Sequence, residues 1–86
     1  KMIVKNQNDI LTILKMYMDN MDIRQSQISK NTGIARSHVS RTFSNKHAVN
    51  IDTLLQYIDA CNAVLDINIL PNPNKGKNTD SNNKDK

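Results

Sequence analysis

Five cations, Arg24, Lys30, Arg36, Arg41 and Lys46, fall between Ile23 and Ile51 with no acidic residue among them. His38 and His47 add partial cations to the same stretch. All eight acidic residues are aspartates, and six of them (Asp9, Asp19, Asp22, Asp52, Asp59, Asp66) flank that stretch, so the net charge of +4 is unevenly spread. Segregated cations create an electropositive face that attracts a polyanion such as a nucleic acid. A plain solvated face has the same composition, and charge alone leaves both readings open.

Catalytic chemistry has no foothold here. No carboxylate pair, no nucleophile beside a base and no metal-ligand cluster occurs at a suitable spacing, so no catalytic, metal or cofactor residue is assigned and no enzyme is expected. Cys61 is the single cysteine. One thiol makes neither an intramolecular disulfide nor a metal site, and this one falls where a helix would bury it as a small apolar residue.

The last 16 of the 86 residues, "PNPNKGKNTDSNNKDK", hold no aliphatic or aromatic side chain. Residues 1–70 therefore read as one folded domain and residues 71–86 as a disordered polar tail. A domain of that size buries only about 60% of its unfolded surface, which makes a partner subunit or a very regular helical core an early expectation. There is no apolar run long enough for a membrane span, and the short stretch "MIV" is followed at once by "KNQND", so a cytoplasmic protein without membrane contact is expected.

Helical periodicity dominates the domain. Ile10, Ile13, Leu14, Tyr17, Met18 and Met21 follow the spacing of one helical face, with Asn6 or Asn8 as cap. "RQSQISKNTGI" reads as a two-turn helix closed by Gly33 in the left-handed conformation. "ARSHVSRTFSN" follows as another short helix, Val39 and Phe43 on its inner face, Ala35 or Ser37 near its start and Asn45 as a left-handed stop. Asn50 caps a fourth helix whose face carries Ile51, Leu54, Leu55, Ile58 and Ala60 or Cys61. Leu65, Ile67 and Ile69 then alternate with Asp66, Asn68 and Leu70 up to Pro71, the period of a half-buried strand. Its edge would pair with a second copy or with "MIV". A fifth helix, or an extension of the fourth, is the alternative.

Two short helices joined by a glycine-containing turn form a helix-turn-helix unit. The geometry requires an apolar residue five before the glycine, a small one four before it, and buried residues directly after it and six after it. Ile28, Ser29, Ile34 and Val39 fill these places. Thr42 stands where an apolar residue is usual, and Phe43 beside it is expected to supply that contact.

Through "QSQISKNTGIARSHVSR", "SNK" and "IDTLL", the chain resembles the Xre/Cro-type helix-turn-helix repressor family from about Ile10 to Leu65. The resemblance implies an all-α, lambda-repressor-like bundle of four to five helices, here with a short C-terminal β-strand in place of the last helix. It also implies that Arg36, Ser37, Ser40 and Arg41 contact base edges, arginine being able to bond guanine bidentately. Arg24, Gln25, His38, Ser44, Asn45 and Lys46 would contact phosphate, positioning the protein without reading sequence. Gln25 would also buttress the recognition helix, and Arg24 replaces the threonine that usually caps the helix before it. Some antitoxins of this family pair C-terminal strands across a dimer, which makes Leu65, Ile67 and Ile69 the expected dimer interface.

The function expected is a homodimeric regulator that binds double-stranded DNA, most simply a repressor of its own promoter at a palindromic operator. An antitoxin that also binds a toxin is a second reading. A protein-interaction module or enzyme inhibitor that reuses the fold is a third, and the uncompensated cations weigh against it.

Overall fold

Four α-helices occur in residues 2–73, the part of the chain that the computed structural model describes: α1 (Gln7–Met21), α2 (Gln25–Thr32), α3 (Arg36–Phe43) and α4 (Ile51–Ala60). The two outer helices begin as their sequences dictate. The side-chain oxygen of Asn6 accepts the Asp9 amide at 2.9 Å, and that of Asn50 accepts the Thr53 amide at 2.8 Å. Asp9 and Asp52 lie in the first turns, where the helix dipole favours negative charge.

Each helix is followed by a residue in the left-handed region: Asp22 (φ 56°), Gly33 (φ 79°), Asn45 (φ 58°) and Asn62 (φ 56°). Gly33 is the single glycine among the described residues, so short polar side chains that tolerate this conformation stop the other three helices. Behind Asp22, Asn45 and Asn62 the next amide reaches back five residues, Ile23 to Met18 O at 2.8 Å, Lys46 to Arg41 O at 3.1 Å and Ala63 to Ile58 O at 3.2 Å. These bonds satisfy carbonyls that the helix end would otherwise leave bare.

The core takes Leu11, Leu14 and Met18 from α1, Ile28 from α2, Val39 and Phe43 from α3, and Leu54, Tyr57 and Ile58 from α4, with Cys61 just beyond. α2 packs against both α3 and α4. Phe43 stacks on Tyr57 with ring centroids 5.8 Å apart. The expected stripes need correction at their edges. Met21, Ile51 and Leu55 are 56%, 58% and 42% exposed, whereas Leu11 and Tyr57 are buried in their place. A four-residue spacing fixes a face but not its centre, and the common core of the bundle takes in Leu11 and Tyr57. Cys61 is buried as expected, and burial pushes its thiol up from the ordinary cysteine value.

The expected C-terminal strand is not seen among the described residues. From residue 64 to residue 72 the backbone takes neither helix nor strand, and α4 stops at Ala60 without extension. Met2, Ile3 and Val4 remain exposed and pair with nothing regular, so Leu65, Ile67 and Ile69 have no neighbouring strand. A strand is stabilised by its ladder, and a single copy supplies no partner edge. Most of the tail expected to be disordered, residues 74–86, lies outside the described residues, as does Lys1. Among the described residues no helix is long and apolar enough to cross a membrane.

Candidate nucleic-acid interface

Gly33, Ile34 and Ala35 join two helices of eight residues each. A Cβ at Gly33 would meet nothing within 4 Å, so glycine is needed for its positive φ and not for space. Ser29 does more than stay small. Its hydroxyl donates to the Ile34 carbonyl at 2.6 Å, across the turn. Thr32 works from the other side, donating to Ile28 O at 2.7 Å and accepting the Ile34 amide at 3.1 Å. Ile28 and Val39 are fully buried, as expected, whereas Ile34, expected to be buried, is only half-buried against the core.

α3 divides cleanly into two faces. Val39, Thr42 and Phe43 turn inward, while Arg36, Ser37, His38, Ser40 and Arg41 are all exposed. Thr42 and Phe43 share the inner face: Phe43 supplies the apolar contact through Tyr57, and Thr42 anchors a polar network. Its hydroxyl lies 3.1 Å from His38 O, 2.9 Å from His47 Nε2 and 3.2 Å from the Tyr57 hydroxyl. His38 reaches sideways on α3, stacking on His47 with ring centroids 4.7 Å apart.

The starts of the two middle helices invert the rule that the outer helices obey. Arg24 caps α2 and Arg36 is the first residue of α3, so a cation sits at each positive dipole end with no acid in either first turn. Neither Arg24 nor Ala35 offers a side-chain acceptor. Only the reverse half of a capping box is present at α2, Arg24 N–H donating to Gln27 Oε1 at 2.9 Å. The amides of Gln25 and Ser26, and of Arg36 and Ser37, have no partner among the described residues.

A shallow groove of about 470 Å³ brings these two helix starts together, lined by Lys15, Arg24, Gln25, Ser26 and Arg36 with Asp19 and two apolar residues. Gln25 is exposed and makes no hydrogen bond to α3 among the described residues, so the expected buttress is not seen. Lys15 is a cation that sequence reasoning missed. It lies on α1, outside the acid-free stretch, and only packing brings it beside Arg36. No ion pair among the described residues neutralises Lys15, Arg24, Arg36, Arg41 or Lys46.

Ser44, Asn45 and Lys46, all exposed, form the loop after α3. A second missed residue holds this loop. Gln7, at the start of α1, donates through Nε2 to Asn45 Oδ1 and to His47 O, each at 2.8 Å, and accepts the Val49 amide at 2.8 Å. No local sequence signal links residues some forty positions apart. Among the described residues no three His, Cys, Asp or Glu side chains gather as metal ligands.

The uncapped start of α2 is testable by itself. Arg24→Ser restores a side-chain acceptor at the cap and removes a cation from the dipole's positive end. The variant is expected to gain about 1 kcal/mol in urea unfolding. Unchanged stability would show that the start of α2 is not under strain from the arginine cap. Comparison with protein-family profiles, curated proteins and solved structures returned no match for this chain.

Proposed function

We propose that this protein is a sequence-specific, double-stranded DNA-binding regulator, acting as a homodimer and repressing its own promoter from a near-palindromic operator. The observation that carries the reading is the inversion at the middle helices. α1 and α4 begin with an asparagine cap and an aspartate, as stability favours, whereas α2 and α3 begin with arginine and bare amides on one shared groove. Two positive helix ends lined with uncompensated cations form a surface suited to phosphate, at a small cost to the fold. α3 would then lie in the major groove, with Arg36, Ser37, Ser40 and Arg41 toward base edges. Arg24, Gln25, Ser44, Asn45 and Lys46 would contact the backbone, and His38 would do so from the edge of its stack with His47.

The dimer rests on the segment after α4. Val64, Ile67, Ile69 and Leu70 are 90%, 59%, 95% and 68% exposed, and Leu65 is at 36%. A run of exposed aliphatic residues ahead of Pro71 marks a surface that a partner covers. A second copy pairing Leu65, Ile67 and Ile69 would provide the missing strand edge and set two α3 helices about one DNA turn, ~34 Å, apart. The same exposed run also suits a foreign protein chain, which is the antitoxin reading.

Selection of bound sites from random duplex DNA tests the proposal. Enrichment of two related half-sites about 10 base pairs apart is expected, with affinity falling steeply as salt rises. No enrichment, together with a monomer at micromolar concentration, would sink it. Co-purification with the product of a neighbouring gene, in place of self-association, would favour the antitoxin.

A further inference from the structure

The Gln7 contacts fix more than the path of a loop, because they determine which way the Asn45 amide faces. Val49 N–H can only donate, so the Gln7 atom that meets it at 2.8 Å is the carbonyl oxygen Oε1. The other end of the Gln7 amide is therefore Nε2, and the His47 carbonyl, which can only accept, meets it at 2.8 Å and confirms the orientation. That same Nε2 lies 2.8 Å from Asn45, which must present its acceptor Oδ1. Asn45 Nδ2 is left facing away from Gln7, without a partner among the described residues. The backbone removes other choices: Asn45 is held at φ 58°, and the Lys46 amide is spent on Arg41 O at 3.1 Å.

We infer that Gln7 is a positioning residue that sets the polarity of the Asn45 amide, so that Ser44, Asn45 and Lys46 meet a DNA phosphodiester with donors only. The inference rests on the DNA-binding reading above and deepens it. A phosphate oxygen accepts hydrogen bonds and repels an amide carbonyl, so a reversed Asn45 amide would turn a contact into a repulsion. Without Gln7 nothing in the loop selects between the two orientations. Gln7 acts through its bonds to Asn45, His47 and Val49.

The test measures binding of the full chain to a mixed-sequence duplex, because phosphate contacts act on every sequence alike. Gln7→Ala and Asn45→Gly are each expected to weaken binding about tenfold, the scale of one hydrogen bond to a charged group, with sequence preference unchanged. Asn45→Gly keeps the left-handed stop, so its fold is secure. Because Gln7 acts through Asn45, the double variant is expected to bind no more weakly than Gln7→Ala alone. Hydrogen exchange at the Val49 amide should speed up in Gln7→Ala and not in Asn45→Gly.

Wild-type affinity for either single variant, or losses that multiply in the double variant, would overturn the inference and leave the DNA-binding reading standing. Absence of duplex binding by the unaltered chain would instead remove that reading, and this inference with it.

Discussion

On the proposed DNA-binding reading, replacing Arg36 and Arg41 together by alanine is expected to remove much of the discrimination between a selected operator and unrelated duplex DNA, with little change in stability. Each arginine that bonds a guanine bidentately contributes ~1 to 3 kcal/mol of discrimination, so the pair accounts for roughly 2 to 6 kcal/mol of an operator preference of about 4 to 10 kcal/mol. Both side chains are exposed and neither is paired with an acid among the described residues, so the fold loses no buried group. Arg36→Ala also relieves a cation at the positive end of α3, a gain of a few tenths of a kcal/mol. Arg41 lies in the last turn, where the dipole favours it, and its loss offsets that gain. Lys46→Ala serves as the contrast: it should weaken binding to all sequences and lower the salt slope by about one. Competition titrations with specific and mixed duplex separate the two patterns. Unchanged preference in the double variant would show that α3 does not read bases.

Much of this surface was legible in the sequence because its determinants are local. A left-handed glycine, an apolar residue five before it and branched aliphatics after it prescribe two short helices, and Gly33, Ile28 and Val39 occupy the environments their types predict, while Ile34 is only half-buried. Asn6, Asn45 and Asn50 likewise cap or stop helices through their own short side chains. Contacts between distant segments were not legible. The groove that joins Lys15 to Arg36, and the Gln7 bonds to residues 45, 47 and 49, depend on how α1 lies against the rest of the bundle, which no periodicity encodes. Alternation at residues 65–70 expresses a capacity for strand that a single chain leaves unrealised, since a ladder needs an edge that these residues cannot supply to themselves.

Thr42 is the departure from pattern with the largest consequence for the fold, and a double-mutant cycle is expected to show why. It is fully buried, as is Tyr57, and the Tyr57 hydroxyl has no acceptor among the described residues other than Thr42 Oγ1, 3.2 Å away. The Thr42 hydroxyl has one proton, and when it donates that proton to His38 O the contacts from Tyr57 and from His47 Nε2 are both inbound. Thr42→Val keeps the volume and removes the acceptor, stranding the buried Tyr57 donor and freeing the His47 ring. The cost should be about 2 kcal/mol, a large part of the stability of a domain this small, and a fall in Tm of roughly 10 °C. Tyr57→Phe should cost less, about 1 kcal/mol, because Thr42 retains two partners. The decisive measurement is the double variant. With both hydroxyls gone no donor is stranded at Tyr57, so Thr42→Val with Tyr57→Phe should be no less stable than Thr42→Val alone, a coupling of about 1 kcal/mol. Additive losses would mean that the two hydroxyls stabilise the fold independently of each other.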